Sequence, residues 1–361
     1  MFFKISNNTI EHAFPFSQTK RLNDFYVALD SGWAQHENVL YKGYCTDQPL
    51  EQKVLGKDFT EQSGNYVILD FTEKCSVHYD NSRSFPMCHD DNTVTNHKDT
   101  AMTDVWFDGT VQYENGKWQF VHRPENVIKH PGHFRHLNKT QLVDLYCDYL
   151  IKCCNGLETD LPFFCADSNG GVDSLVIKSA FDYCSKDYKM VVGNNSEQMK
   201  SLGWGYKLIF VTDIPHIQLT GFCGDELLLR NPLYVQWLLD PYNIDLADEF
   251  DKYDYSFMKG FYNKNYRDKC KKNIGKFSKF SEAYEHTANV AVNDFQMWHA
   301  GETITFTPFR NINMALECFR ADPDTMLDQV IHAGVSKEII KRLNAKNLDY
   351  ISKHKNNVVG D

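Results

Sequence analysis

Long apolar runs are missing from this chain. No stretch approaches the roughly eighteen consecutive apolar residues that a membrane-spanning helix needs, so no membrane partner is expected. The start, Met1-Phe2-Phe3-Lys4, lacks the basic and long apolar regions of a secretory signal. There is no CxxC, and the 11 cysteines, including the adjacent Cys153 and Cys154, fall at no metal-like spacing. An odd count without a signal reads as reduced thiols in a cytoplasmic protein, each a small buried hydrophobe. Positive charge is outnumbered, with 38 Lys and Arg against 48 Asp and Glu. The net charge of -10 argues against non-specific nucleic-acid binding, although a local basic patch stays open. Long repeats and low-complexity tracts are also lacking. What the chain does have is 42% apolar and 14% aromatic residues, enough for a sizeable core and too many for global disorder. A length of 361 residues predicts two domains or one large one.

The two halves differ in texture. Up to about residue 130, short β-like runs alternate with turns, as in Asn65 to Phe71 and Lys117 to Val121. Asn115-Gly116, between Tyr113 and Trp118, signals a hairpin, and this half reads as antiparallel sheet. His130-Pro131-Gly132-His133 is a natural linker. Beyond it, Asn138 can cap a helix, with Gln141 completing a capping box. Leu142, Leu145, Tyr146, Tyr149, Leu150 and Cys153 then share one helical face. An apolar strand over Leu161 to Ala166, a glycine-rich turn and a second amphipathic helix from near Val172 follow. Met190 to Val192, Leu208 to Val211 and His216 to Thr220 read as further strands. Strands alternating with helices predict a parallel, doubly wound sheet. After Glu226 the chain reads as almost wholly helical.

The chemistry concentrates in Ser168-Asn169-Gly170-Gly171-Val172-Asp173-Ser174, between a predicted strand and a helix N-terminus. Such a place presents backbone N–H groups and the positive end of the helix dipole to an anion. The glycines allow close approach of a phosphate, Asp173 can hold Mg²⁺ against it, and Ser174 can donate a hydroxyl hydrogen bond. A Walker loop is excluded because no Gly-Lys-Ser/Thr follows, and the dinucleotide fingerprint because the third glycine is missing. An ordinary strand-to-helix turn is the competing reading of the same heptad.

This heptad resembles the pyrophosphatase loop, Ser-Gly-Gly-x-Asp-Ser, of the adenine-nucleotide alpha-hydrolase superfamily, with Asn169 where that family has its first Ser. Leu219-Thr220-Gly221-Phe222-Cys223-Gly224-Asp225-Glu226 is similar to the second signature of asparagine synthetases and β-lactam synthetases. The resemblance implies that Asn169, Gly170, Gly171, Asp173 and Ser174 bind ATP. It places Thr220 and Gly221 beside the ribose and α-phosphate, and Asp173 and Asp225 on Mg²⁺. Taken alone, the second segment is also a plain start to a helix over Asp225 to Leu239. Ile304 to Asn311 is similar to the family's segment around Pro-Phe, here Pro308-Phe309, and Lys337 to Lys341 resembles its Lys-x-x-Leu-Arg. Lys337 would then stabilise charge during adenylation; a solvated surface lysine is the alternative.

The first half carries traces of the glutaminase domain of asparagine synthetases in Gly64 to Asp70 and in Asp80 with Pro86-Met87. Residue 2 is Phe and no Cys precedes Cys45, so glutamine hydrolysis is not expected. His78 and His89 have no ligand spacing and read as structural. The expected architecture is α/β: a degenerate, glutaminase-like Ntn-type β-rich sandwich over 1–130, and an ATP-pyrophosphatase domain over 138–361 with a doubly wound parallel sheet and a helical C-terminal part. The resemblance implies a ligase that adenylates a carboxylate, releases pyrophosphate and passes the acyl group to an amine, with ATP and Mg²⁺ as cofactors. Phe222, where the family has Glu or Tyr, implies that the amine is activated elsewhere. Small-molecule carboxylate and amine substrates are the expected partners, and a homodimer is open. Another ATP-pyrophosphatase reaction, or a degenerate ATP-binding protein, are the alternatives.

Overall fold

Asn115 and Gly116 both take left-handed backbone, at φ 53° and 83°, the geometry of a tight hairpin turn. They join two strands paired in register from Gly109↔His122 to Glu114↔Lys117. This hairpin belongs to a computed structural model that describes residues 3–10, 16–45, 48–59, 64–80, 87–96, 102–104, 109–122, 136–157, 159, 161–166, 171–191, 216–221, 224–239, 242–252, 303–310, 314 and 317–351. The architecture is mixed α/β.

The first part runs β1 (Phe3–Ser6), β2 (Gln18–Leu22), β3 (Phe25–Leu29), β4 (Ala34–His36), β5 (Val39–Cys45), α1 (Leu50–Leu55), β6 (Gly64–Asp70), β7 (Ser76–Tyr79), β8 (Cys88–His89), β9 (Thr93–Thr95), β10 (Thr103–Asp104), β11 (Gly109–Glu114) and β12 (Lys117–His122). Two six-stranded sheets result, in the orders β10-β8-β9-β1-β3-β2 and β12-β11-β7-β6-β5-β4. Their strand pairs are antiparallel. The sheets meet through aromatic packing. Phe25 of β3 lies 4.9 Å from the Tyr113 ring and 5.5 Å from the Trp118 ring, both on the other sheet.

The second part runs α2 (Lys139–Gly156), β13 (Phe163–Ala166), α3 (Val172–Tyr183), β14 (Lys189–Val191), β15 (His216–Leu219), α4 (Gly224–Leu227), α5 (Pro232–Leu239), α6 (Leu246–Asp251), β16 (Thr303–Phe306), α7 (Pro323–His332) and α8 (Gly334–Asn344). Asn138 closes the capping box with Gln141: each backbone N–H donates to the other's side chain, at 3.0 and 3.1 Å. The strands form one sheet, β14-β13-β15-β16, with parallel pairs. Helix α3 is buried from Leu175 to Phe181 without a break, so it is a core helix rather than a surface one. Aromatic rings join the two parts, with Tyr44 of β5 5.2 Å from Phe306 of β16, and Phe306 5.5 Å from Phe181 of α3.

Two expectations need correction. Among the described residues beyond Glu226 one strand, β16, interrupts the expected helices and pairs in parallel with β15 from His216↔Thr303 to Leu219↔Phe306. Its Thr-Ile-Thr-Phe run is β-branched and aromatic, which suits a strand. The segment Asp225 to Leu239 is not one helix. It breaks between α4 and α5, where Leu229 has φ 56° and Pro232 cannot continue a helical ladder. The predicted linker at 130–133 and strand at 208–211 lie outside the described residues. Of the nine described cysteines eight are buried; Cys184 is half-exposed and shares a hydrogen bond with Cys154.

Gln329, fully buried on α7, ties the second part together. Its amide nitrogen donates to Leu228 O at 2.7 Å and to Ser336 Oγ at 2.8 Å. Its oxygen accepts from the backbone N–H of Val335 and Ser336, at 2.8 and 3.1 Å. At the far end of α3, Asp182 accepts from Lys178, Tyr188, Asn344 and Asn347 at 2.6 to 2.9 Å. Burial alone would raise the Asp182 carboxyl, but the hydrogen bonds from Lys178, Tyr188 and Asn347 outweigh it and hold the pKa below the usual carboxylate value.

Gln329→Ala leaves several buried backbone groups without partners and is expected to lower stability by at least about 2 kcal/mol, measured by urea unfolding. Asp182 is depressed on folding, so its contribution is present above the unfolded pKa of about 3.9 and is lost as pH falls through the folded value. Asp182→Asn should therefore flatten the acid limb of stability below about pH 4. An unchanged slope in chemical unfolding across that range would show that Asp182 does not drive it.

Candidate functional site

Adjacent parallel strands β13 and β15 run in the same direction, so the segments that follow them leave the same edge of the sheet. That edge, at the carboxyl ends of the strands, is where open parallel sheets bind ligands. After β13 the chain reaches Gly171, which precedes α3 in extended conformation at φ -66° and ψ 135°. After β15 come Thr220 and Gly221. The Thr220 N–H donates to Phe306 O at 3.1 Å and so extends the ladder to β16.

The two segments touch. A Cβ added to Gly221 would stand 2.5 Å from the Asp173 carbonyl carbon and 2.8 Å from the Asp173 Cβ, and would collide with the Ser174 nitrogen. A Cβ on Gly224 would lie 2.5 Å from the Asp173 Cγ and 2.9 Å from its Oδ1. Only glycine lets the second segment press this closely on the first turn of α3. That turn has backbone N–H groups with no intrahelical acceptor and carries the positive end of the helix dipole.

Two carboxylates converge here on a cation. Arg230 Nη1 donates to both oxygens of Asp173, at 2.7 and 2.6 Å. The same nitrogen is 3.3 Å from Asp225 Oδ1. Arg230 and Asp173 are nearly buried, with side chains 10% and 15% exposed, whereas Asp225 is 59% exposed. The break between α4 and α5 presents the arginine. Both Arg230 N–H and Asn231 N–H donate to Asp225 O, at 2.9 and 2.6 Å, directly after left-handed Leu229. A buried leucine in that conformation is strained.

The structure thus brings together Gly171, Asp173, Ser174, Thr220, Gly221 and Asp225. Asn169 and Gly170 lie outside the described residues. Lys337 stands in the first turn of α8, and its titratable neighbours include Asp328, Lys139 and His332. Lys139 Nζ is 2.8 Å from Asp328 Oδ2 as a charge contact rather than an aligned hydrogen bond. Burial pushes the Lys337 ammonium pKa down and Lys139 adds to this, while Asp328 opposes it. Gln329 links that helix start to Leu228, two residues before Arg230.

Hard carboxylate oxygens from two segments, gathered on one cationic nitrogen, are the donor type that a magnesium ion takes. Two carboxylates fit as the protein's share of such a site, since this ion commonly completes its shell with water and phosphate oxygens. Among the described residues no group of three or more His, Cys, Asp or Glu is placed to hold a metal.

Arg230 joins the site from outside the two signature segments, and Gly224 lies within the second one, where the resemblance gives it no role. Their signals are faint: a single cation at the end of Leu227-Leu228-Leu229, and a glycine one position before the acidic pair. His78 is buried, 3.0 Å from Ser76 Oγ and stacked on Phe59, a packing role. An open polar cleft of about 490 Å³ at the other end of α3 is lined by Lys178, Asp182, Asn344 and Asn347, which hydrogen-bond to one another. No family model matches the chain, and no curated protein matches it. No helix among the described residues is long and apolar enough to cross a membrane.

Gly221→Ala should disrupt the contact between the two segments. The expected cost is about 1 to 3 kcal/mol from overpacking, with a larger loss for Gly221→Val, read by thermal unfolding. Stability equal to wild type in both variants would mean that the segments are not pressed together.

Proposed function

We propose that the protein is an ATP-dependent ligase of the asparagine-synthetase type, which activates a carboxylate as an acyl-adenylate, releases pyrophosphate and forms an amide without glutamine hydrolysis. The observation that carries this reading is the direct packing of Gly221 and Gly224 on Asp173 and Ser174 at the start of α3. Two signatures about fifty residues apart in a chain need not meet. In an enzyme that cleaves ATP between the α and β phosphates they must, because one binds the phosphates and the other completes the carboxylate pair.

In this reading the first-turn N–H groups of α3 and the Ser174 hydroxyl hold the phosphates, with Asn169 and Gly170 completing the loop. Thr220 and Gly221 lie beside the ribose and α-phosphate. Asp173 and Asp225 would hold Mg²⁺, which when bound neutralises the pyrophosphate leaving group. Lys337 meets the charge that develops on the α-phosphate as the substrate oxygen attacks. The doubly wound sheet of the pyrophosphatase type and the Ntn-type sandwich are part of the same proposal. They are supported by the parallel order β14-β13-β15-β16 and by the paired six-stranded sheets. A second reading, an ATP-binding protein without turnover, draws on the Arg230 guanidinium that already holds both carboxylates.

Pyrophosphate release from ATP, assayed with Mg²⁺ and a panel of carboxylates and amines, separates the two. Turnover that depends on a carboxylate supports the ligase; ATP binding with no release under any combination would leave the non-turnover reading. Lys337→Met is expected to slow single-turnover release by at least about a hundredfold, the typical cost of losing one electrostatic contact to the transition state, with little change in ATP affinity. Because burial lowers the Lys337 pKa, the cation is lost as pH rises, and the wild-type rate should decline below the usual lysine value of about 10.4. A rate within threefold of wild type would remove Lys337 from the site.

A further inference from the structure

We propose that Arg230 is an exchangeable counter-cation: it holds Asp173 and Asp225 together in the free protein and gives both carboxylates up to a divalent cation that arrives with the nucleotide. The inference rests on the reading of Asp173 and Asp225 as the metal-bearing pair.

The geometry sets the two cations in competition for the same face of Asp173. One nitrogen, Arg230 Nη1, lies at 2.6 and 2.7 Å from the two oxygens of Asp173 and 3.3 Å from Asp225. A magnesium-sized ion needs oxygens at about 2.0 to 2.1 Å on its own octahedral directions. An ion chelated by both oxygens of Asp173 would need the lone pairs that now face the guanidinium, and would repel that guanidinium at short range. The free protein therefore opposes metal binding by the full strength of a nearly buried, charge-assisted pair. The same guanidinium offsets the repulsion between the two carboxylates.

Nucleotide changes the balance. A polyphosphate brings negative charge that a planar guanidinium binds well, so Arg230 has a new partner once it leaves the carboxylates. Metal and nucleotide then bind cooperatively, and metal alone binds weakly. The exchange needs only a rotation of the arginine side chain, since the backbone around it is held by Asp225 O and Gln329. Leu229 is held at φ 56° immediately before the arginine, and residues 228–231 form a break between α4 and α5.

The test is a titration of Mn²⁺ alone, without nucleotide, followed by electron paramagnetic resonance on the full chain. Wild type should bind Mn²⁺ weakly, and Arg230→Met should bind it at least tenfold more tightly. The double variant Arg230→Met with Asp225→Asn should lose that gain. Arg230→Met should also unfold at lower temperature than wild type and recover with Mn²⁺, because the ion replaces the lost charge. Equal Mn²⁺ affinity in wild type and Arg230→Met, or weaker binding in the variant, would overturn the proposal. If Arg230→Met does not fold, Arg230→Lys carries the test. Its single ammonium holds the carboxylates less firmly, so Mn²⁺ affinity should rise severalfold, and no rise overturns the idea. Pyrophosphate release by wild type is read separately. Tighter Mn²⁺ binding in the variant with no release by wild type keeps this inference and removes the ligase; release by wild type with no Mn²⁺ effect does the opposite.

Discussion

The site depends on a backbone approach that only glycine permits. Gly221 and Gly224 lie against Asp173 so closely that a single Cβ at either position would overlap the first turn of α3. The contact fixes the direction in which Asp173 points, the register between the segments after β13 and β15, and the place where α4 begins. Parallel pairing of the two strands delivers both segments to one edge of the sheet. The glycines then close the remaining gap.

Charge is gathered in two groups. Asp173, Asp225 and Arg230 form one at the glycine contact, and Lys337, Asp328 and Lys139 form another at the start of α8. Gln329 connects them by donating to Leu228 O while accepting from the N–H groups that begin α8. A fully buried amide with its bonds satisfied is a rigid coupling, because moving either one alone would leave polar atoms without partners. The ligase reading needs the two groups to act on one substrate, and this coupling is what supports their acting together.

Local features are legible in the residue pattern alone. The Asn115-Gly116 hairpin, the capping box of Asn138 with Gln141, and the helix from Val172 each depend on contacts within a few residues, and each is found where the pattern puts it. Strand β16 escapes that pattern because a four-residue strand between helical stretches has no period of its own. Its identity comes from pairing with β15, whose partner residues lie almost ninety positions earlier. The break at Leu229 escapes it for a related reason: a run of leucines favours helix locally, and Pro232 with the two N–H donors to Asp225 O overrides it.

The sequence by itself determined the mixed α/β class and the succession of α2, β13, α3 and β15 around the candidate loop. These follow from hydrophobic period, turn residues and caps, which act over one or two helical turns. Only the tertiary structure decided which charges face one another. Arg230 reaches Asp173 across 57 positions, and Lys337 meets charges from α2 and α7. No local pattern encodes such a meeting. It results from where the parallel sheet sends its loops and from the cost of burying a charge without a partner.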